Sequence, residues 1–248
     1  MNNPFKLTDK TILVTGASSG IGREICVQIS RMGGRVVATG RNEERLKETL
    51  SMLSGVGHEA VRADLIHPSE MDALIAQTLP LNGLVHSAGY FKLLPLKFVS
   101  EKELNSIFAV NYQAAILLTQ RILIKRLLQP GASIIFIASI AAQIGSKANT
   151  MYAGTKGALT SSARVMAVEL APQKIRVNCI SPGMVKTPIA EQTTDLVSKE
   201  LVEKDELRYP LGYGESADVA YATVYLLSDA SKWMTGANLT LDGGYTCQ

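Results

Sequence analysis

Short runs of aliphatic and β-branched residues alternate along this chain with longer stretches of helical spacing, and that alternation restricts the fold more than any other feature. The apolar runs are Thr11–Thr15, Arg35–Thr39, Leu84–His86, Ser133–Ala138 and Ile175–Ile180, with weaker ones at Glu59–Arg62 and Asn238–Leu241. Between them lie Ile21–Met32, Glu43–Leu53, Ser69–Leu79, Glu101–Leu128, Met151–Leu170 and Ser216–Leu227. Strands that are apolar almost throughout must be covered on both faces, and strands separated by helices pair in parallel. The expected architecture is α/β, with a single domain over residues 1–248: a doubly wound parallel sheet of about seven strands with helices on both faces. Asn42 ahead of Glu43 and Glu44 is a sound helix start, an N-cap followed by acidic residues in the first turn. The stretch 187–214 breaks the alternation. It carries Pro188, Pro210, Gly212 and Gly214 around charged helical pieces, is long for a simple connection, and reads as a substrate lid.

Composition closes off several classes. There are 25 basic and 22 acidic side chains, a net charge of 25 − 22 = +3, with no long basic run, so no nucleic-acid partner is expected. Hydrophobic residues make up 46% of the chain and charged ones 19%, which suits a packed core and excludes disorder as the main state. Apolar stretches such as Ile134–Ile144 fall short of the ~20 residues of a membrane span, so no membrane partner is expected. Cys26, Cys179 and Cys247 share no C-x-x-C spacing, and Met1-Asn2-Asn3-Pro4 has neither a basic nor an apolar leader. Reduced thiols and a cytoplasmic location are expected. His58, His67 and His86 are scattered, so no metal site is expected.

The first apolar run leads into Gly16-Ala17-Ser18-Ser19-Gly20-Ile21-Gly22 and then a helical stretch. Strand, glycine-rich turn and helix in that order offer backbone N–H groups and a positive helix end to a pyrophosphate, as in a Rossmann fold. Gly16 allows the tight turn, Gly20 the close approach of phosphates and Gly22 helix-on-strand packing; the spacing is G-x-x-x-G-x-G. At the end of the second run stands Ala38-Thr39-Gly40-Arg41-Asn42. A carboxylate there would accept from a ribose 2′-hydroxyl; glycine with Arg41 beside it suits a 2′-phosphate instead. NADP(H) is therefore the preferred cofactor, with NAD(H) as the alternative.

Tyr152 and Lys156 are four residues apart, hence on one face of a helix. A phenol titrates near ~10, and a neighbouring ammonium is expected to lower it, fitting Tyr152 for proton transfer to a carbonyl oxygen or from an alcohol. Together with the glycine turn this pair resembles the short-chain dehydrogenase/reductase family, and the similarity runs nearly the whole chain: Thr15 to Gly22, Asp64, Ser87-Ala88-Gly89, Asn111, Ser139, Tyr152, Lys156, Pro182 to Thr187, Thr235 to Asn238, and Leu241-Asp242-Gly243-Gly244.

The resemblance implies an NAD(P)(H)-dependent oxidoreductase interconverting a carbonyl and a secondary alcohol. Its tetrad would be Asn111, Ser139, Tyr152 and Lys156: Tyr152 as general acid/base, Ser139 steadying the substrate oxygen, Lys156 tuning Tyr152 and binding the nicotinamide ribose, and Asn111 holding a water for proton relay. Ser18 and Ser19 would reach the phosphates, Asp64 the adenine amine with Leu65 beside it, and Ser87, Ala88 and Gly89 the cofactor backbone. Ile180, Pro182, Gly183 and Val185 would line the nicotinamide and Thr187 would bind its carboxamide. The family commonly has two asparagines where His86-Ser87 stands, which predicts a weaker brace at the sheet centre. The stretch from Asp64 to Leu84 also looks short for its helix.

The family pattern also implies a homotetramer, or a homodimer, built on the long helices Glu101–Leu128 and Met151–Leu170. A small-molecule carbonyl or alcohol is the expected substrate, and Tyr90, Gln143, Ile144 and Gly145 are candidates to line its pocket. A 3-oxoacyl-[acyl-carrier-protein] reductase is a narrower alternative, though only Lys125, Arg126 and Lys174 offer positive charge to an acidic carrier. A sugar-nucleotide epimerase would need a further substrate domain, for which a chain ending at Gln248 leaves little room. A nucleotide-binding regulator without turnover would be expected to lose tetrad members, and all four are present.

Overall fold

The computed structural model describes residues 3–188 and 199–247. Its elements alternate as the sequence patterning dictates: β1 (Thr11–Thr15), α1 (Gly20–Arg31), β2 (Arg35–Gly40), α2 (Glu43–Ser51), β3 (Glu59–Arg62), α3 (Pro68–Gln77), β4 (Leu81–His86), α4 (Glu101–Phe108), α5 (Ala114–Ile124), β5 (Leu128–Ile137), α6 (Thr150–Leu170) and β6 (Arg176–Pro182). Then come β7 (Val185–Lys186), α7 (Lys199–Glu206), β8 (Gly214–Glu215), α8 (Ser216–Leu227) and β9 (Asn238–Leu241). Seven strands form one parallel sheet in the order β3-β2-β1-β4-β5-β6-β9.

Side chains alternate across each strand, so a strand apolar at every position feeds two cores. Ile12, Val14, Val36, Ala38, Val85, Ile135 and Ile180 pack on one face with Ile25 and Ile29 of α1, Leu46 of α2 and Val219 and Val224 of α8. Leu13, Val37, Leu84, Ile134, Phe136 and Val177 pack on the other with Leu74 of α3, Leu118 and Ile122 of α5, and Leu159 and Ala163 of α6. Each fully buried Leu, Ile or Val contributes about 1.5–3 kcal/mol. One stretch, Glu101–Ile124, is long and apolar enough to cross a bilayer by composition, but its Leu118 and Ile122 belong to this second core.

Several expected boundaries shift. The single helix expected over Glu101–Leu128 is two α-helices joined by a π-helical turn, Ala109–Gln113, and it ends at Ile124. β5 starts at Leu128 instead of Ser133, because Leu81↔Leu128 pair ahead of Gly83↔Ser133 and residues 129–132 bulge between them. Gly131, at φ +83°, turns that bulge where an L side chain would be strained. β4 starts at Leu81, three residues before the apolar run. α3 keeps a full ten residues despite the short segment around it.

β7 and β8 were not expected. They pair in parallel and join the two ends of the stretch read as a lid, whose residues 189–198 lie outside the described residues. α7 and the turn after it lead back to that pair.

Candidate active site

In a parallel sheet the loops at the carboxyl ends of the strands converge on one edge, and a crevice opens where the order reverses, here between β1 and β4. Read in sheet order, that edge carries Asp64 after β3, Arg41 after β2, the glycine turn after β1, Ser87–Gly89 after β4, Ser139 after β5 and Pro182–Thr187 after β6. The fold thus brings together residues spread over more than a hundred positions, nearly all those singled out in the sequence.

The glycine turn is built for backbone contact. Gly16 and Gly20 have φ of +66° and +52°. A Cβ on Gly16 would come within 2.8 Å of the Ala88 backbone, and one on Gly22 would strike the Gly16 carbonyl. Ser19 precedes α1 in extended backbone without capping it through its side chain, and the first turn carries no acid. Those uncapped N–H groups and the positive helix end suit a phosphate. Arg23 secures the turn from below, donating to Ser18 O at 2.7 Å and Thr49 Oγ1 at 3.1 Å, while Thr49 Oγ1 donates to Ala17 O. Ser18 Oγ lies 3.4 Å from where a Gly40 Cβ would stand, so a side chain at 40 would crowd it. Arg41 is exposed and forms no ion pair among the described residues. The cradle, the missing acid and the unpaired guanidinium all fit a phosphorylated dinucleotide.

The brace expected to be weak at His86-Ser87 is supplied by Thr15. Its Oγ1 accepts from both Ser87 N and Ala88 N at 3.1 Å. His86 turns inward, stacks on Phe136 at 4.8 Å and pairs through Nε2 with Thr119 Oγ1 at 2.8 Å. The Thr119 hydroxyl already donates to Ala115 O, which assigns the proton to Nε2. Burial pushes the His86 pKa down to about 3, so the ring is neutral.

The tetrad assembles around the start of α6. Tyr152 and Lys156 lie one turn apart, and the Lys156 ammonium sits 5.5 Å from the centre of the Tyr152 ring. Lys156 is buried and donates from Nζ to Ile137 O at 2.8 Å, which ties α6 to the end of β5. Ser139 accepts from Ala141 N through Oγ, and its hydroxyl is near enough to the Tyr152 phenol to favour its ionised form. A Cβ on Gly89 would lie 3.2 Å from Asn111 Oδ1 and 3.8 Å from Lys156 Nζ, so the loop after β4 reaches the tetrad.

One expected effect changes. Burial raises the Tyr152 phenol to about 12, and the nearby Ser139 hydroxyl lowers it only in part, in place of the lowering expected from Lys156. Burial also pulls Lys156 down to about 8, so its amine is already neutral where a phenol at about 12 would ionise. At neutral pH Tyr152 therefore holds its proton and Lys156 its charge. Asn111 accepts from Tyr90 N at 2.9 Å and donates to Tyr90 O at 2.9 Å and Thr155 Oγ1 at 3.3 Å, which ties the loop after β4 to α6. The π-helical turn holds Asn111 at that point, as such turns often do at functional sites.

Comparison with known proteins agrees with this geometry. The family described as enoyl-(acyl carrier protein) reductase matches residues 16–246. L-xylulose reductase of Bos taurus is 35% identical over 97% of this chain and 98% of its own length. A short-chain type dehydrogenase/reductase from Mycobacterium marinum superposes with a TM-score of 0.90 at 30% identity, covering 99% of this chain and 98% of that one. The chain belongs to the short-chain dehydrogenase/reductase family. It is an oxidoreductase acting on alcohol and carbonyl groups. A family structure from Beutenbergia cavernae, with a TM-score of 0.89, 30% identity and coverage of 99% of this chain and 100% of that one, was solved with bound NADP.

Other residues of this short-chain dehydrogenase/reductase fall into place less directly. Thr187 lies 3.6 Å from where a Gly20 Cβ would be, so the turn after β6 reaches the phosphate turn. Ile21 and Val185 pack into the core, as does Leu65 on the other face. Asp64 spends Oδ1 on Ile66 N at 3.3 Å, and its own N–H donates to Glu70. Of the pocket candidates, Gln143 donates to Thr240 Oγ1 at 3.5 Å, and a Cβ on Gly145 would meet nothing within 4 Å among the described residues. Sequence reading missed Thr155, and it missed Phe91, whose ring meets Tyr152 edge-on at 5.0 Å. It also assigned no role to Thr15, although that residue stood inside a quoted motif. Lys125 and Arg126 follow α5 and Lys174 follows α6, at the amino edge of the sheet. The 21 residues of α6 put Lys174 about 30 Å from Tyr152 in the same chain.

Proposed function

We propose that this chain is an NADPH-preferring reductase of a small ketone, with Tyr152 as its proton donor. The observation that carries the reading is the meeting of Ser139, Tyr152, Lys156 and Asn111 at the carboxyl end of β5, beside a glycine turn shaped for phosphates. Gly16, Ser18, Ser19, Gly20, Ile21 and Gly22 would hold the pyrophosphate, Arg41 the 2′-phosphate, Asp64 and Leu65 the adenine, Ser87–Gly89 the riboses, and Pro182, Gly183, Val185 and Thr187 the nicotinamide. When bound, the nicotinamide supplies or accepts the hydride. The chain's own groups do the rest. Tyr152 gives its phenolic proton to the carbonyl oxygen as negative charge grows there, Ser139 steadies that oxygen by hydrogen bonding, and the Lys156 cation offsets the phenolate left behind.

The bovine relative's name, L-xylulose reductase, supports a small polyhydroxy ketone. The Phe91 ring against Tyr152 supports an apolar substituent on one side of the carbonyl. A carrier-protein substrate has less support, since the cations nominated for docking lie at the far edge of the same chain. We also propose a homotetramer, with a homodimer as the alternative, because α5 leaves Leu117 and Ile124 exposed and α6 leaves Val165 and Val168 exposed. Assay with NADPH and a panel of ketones, sugars and acyl thioesters tests the activity. Tyr152→Phe is expected to lower kcat by about 100-fold or more with NADPH affinity unchanged; a variant that keeps most of its rate sinks the assignment.

A further inference from the structure

The turn after β6, which the proposed function places against the nicotinamide, is gripped from both sides. Gly183 N donates to Leu241 O at 2.8 Å, and Met184 O accepts from Gly214 N at 3.0 Å. Neither bond involves the N–H of Met184. That group donates to the phenolic oxygen of Tyr209 at 3.3 Å, a residue 25 positions further along and only 7% exposed. The Tyr209 ring also fills the space over Gly183, where a Cβ would lie 2.9 Å from Tyr209 Cε1 and 3.0 Å from Asp242 Cα.

Tyr209 is itself wedged in place by the C-terminal residues. Tyr245 packs against it at 4.6 Å and Tyr213 meets it edge-on at 5.1 Å. Tyr213 is anchored through its hydroxyl to Asp205 at 2.9 Å, and the Arg208 guanidinium lies 4.5 Å from the Tyr245 ring. The Asp242 carboxylate folds the last turn back on itself, accepting from Gly244 N at 3.1 Å, Thr246 N at 2.8 Å and Thr246 Oγ1 at 2.6 Å. Leu211 N then donates to Gly243 O at 3.0 Å, which fastens that turn to the segment carrying Tyr209.

We infer that Tyr209 is a positioning residue for the cofactor-facing turn: its hydroxyl fixes the Met184 amide, its ring sets the height of Gly183, and the turn 242–247 is its backstop. The inference rests on the oxidoreductase reading and names a residue outside the tetrad and the glycine turn that tunes the same site. Gly183 has no side chain to hold the turn by packing, so the backbone needs an outside partner. A phenol pushed up to about 12 by burial stays protonated through the working pH range, so this bond does not switch with pH.

The test uses the wild type, Tyr209→Phe and Tyr245→Ala, with three readouts: NADPH titration by fluorescence, amide exchange over residues 183–187, and the pH profile of kcat. Tyr209→Phe keeps the ring and loses only the hydroxyl. It is expected to raise the NADPH Kd about 3- to 10-fold, the weight of one neutral hydrogen bond. It should speed exchange at Met184 by a similar factor and leave the apparent pKa of kcat where it was. Tyr245→Ala should move Kd and exchange in the same direction by less, and carries the same test should Tyr209→Phe fold poorly. Unchanged Kd with unchanged exchange overturns the inference. Faster exchange with unchanged Kd overturns it too, because the bond then serves the fold alone. If the wild type binds neither NADPH nor NADH, the oxidoreductase reading itself falls, and the inference falls with it.

Discussion

Lys156→Met is expected to make the protein more stable at neutral pH while removing its activity. The Lys156 side chain is 6% exposed, forms no ion pair with a carboxylate among the described residues, and has one hydrogen-bond acceptor, Ile137 O at 2.8 Å. Burial pulls its pKa from 10.5 to about 8. Below about pH 8 the group is charged in both folded and unfolded chains, and the full cost of burying the charge opposes folding. Between about pH 8 and 10.5 the folded chain sheds its proton first, the unfolded chain binds more protons, and stability rises with pH. Above 10.5 the amine is neutral in both states and the cost is gone. The drop in pKa corresponds to about 3 kcal/mol at neutral pH. Methionine keeps the stem and removes the charge, but strands the Ile137 carbonyl, which takes back about 1 kcal/mol. The net gain is about 2 kcal/mol at pH 7, or a Tm rise of about 4–8 °C for a chain of this size. Urea unfolding at pH 7 and pH 10 measures it, and the gain should shrink at the higher pH. Turnover should fall by about 100-fold or more. A variant less stable than wild type at pH 7, or a gain equal at both pH values, refutes the reasoning.

Two further outcomes follow from the exposed groups. Arg41→Ala is expected to weaken NADPH binding about tenfold and NADH binding little, since the guanidinium forms no ion pair among the described residues; equal loss with both cofactors in parallel titrations rejects the 2′-phosphate assignment. Light scattering behind size exclusion should give about 107 kDa, four times the 26.7 kDa chain. A monomer at micromolar concentration rules out the proposed use of Leu117, Ile124, Val165 and Val168.

How far the sequence reached differs from element to element. The β1 turn was legible because a tight turn, an incoming phosphate and a packed helix each demand a residue without a side chain, and local demands of that kind leave a local pattern. The pair Tyr152 and Lys156 was legible for the same reason, through helical spacing. The break in Glu101–Leu128 was not, because a π-helical turn inserts one extra residue per turn without changing composition. The early start of β5 was hidden by Gln129-Pro130-Gly131, residue types that disfavour a regular strand and here form a bulge inside the pairing.

By itself the sequence determined the layered parallel sheet, the glycine turn after β1 and the placing of Tyr152 and Lys156 on one helical face, since hydrophobic period and backbone sterics act between near neighbours. Only the tertiary structure decided the protonation of those groups and what holds them. Burial sets the Tyr152 and Lys156 pKa values, the Thr15 hydroxyl braces a loop 72 residues away, and Tyr209 reaches Met184 across 25. Desolvation and hydrogen bonding depend on what surrounds a group in space, and no spacing along the chain encodes that.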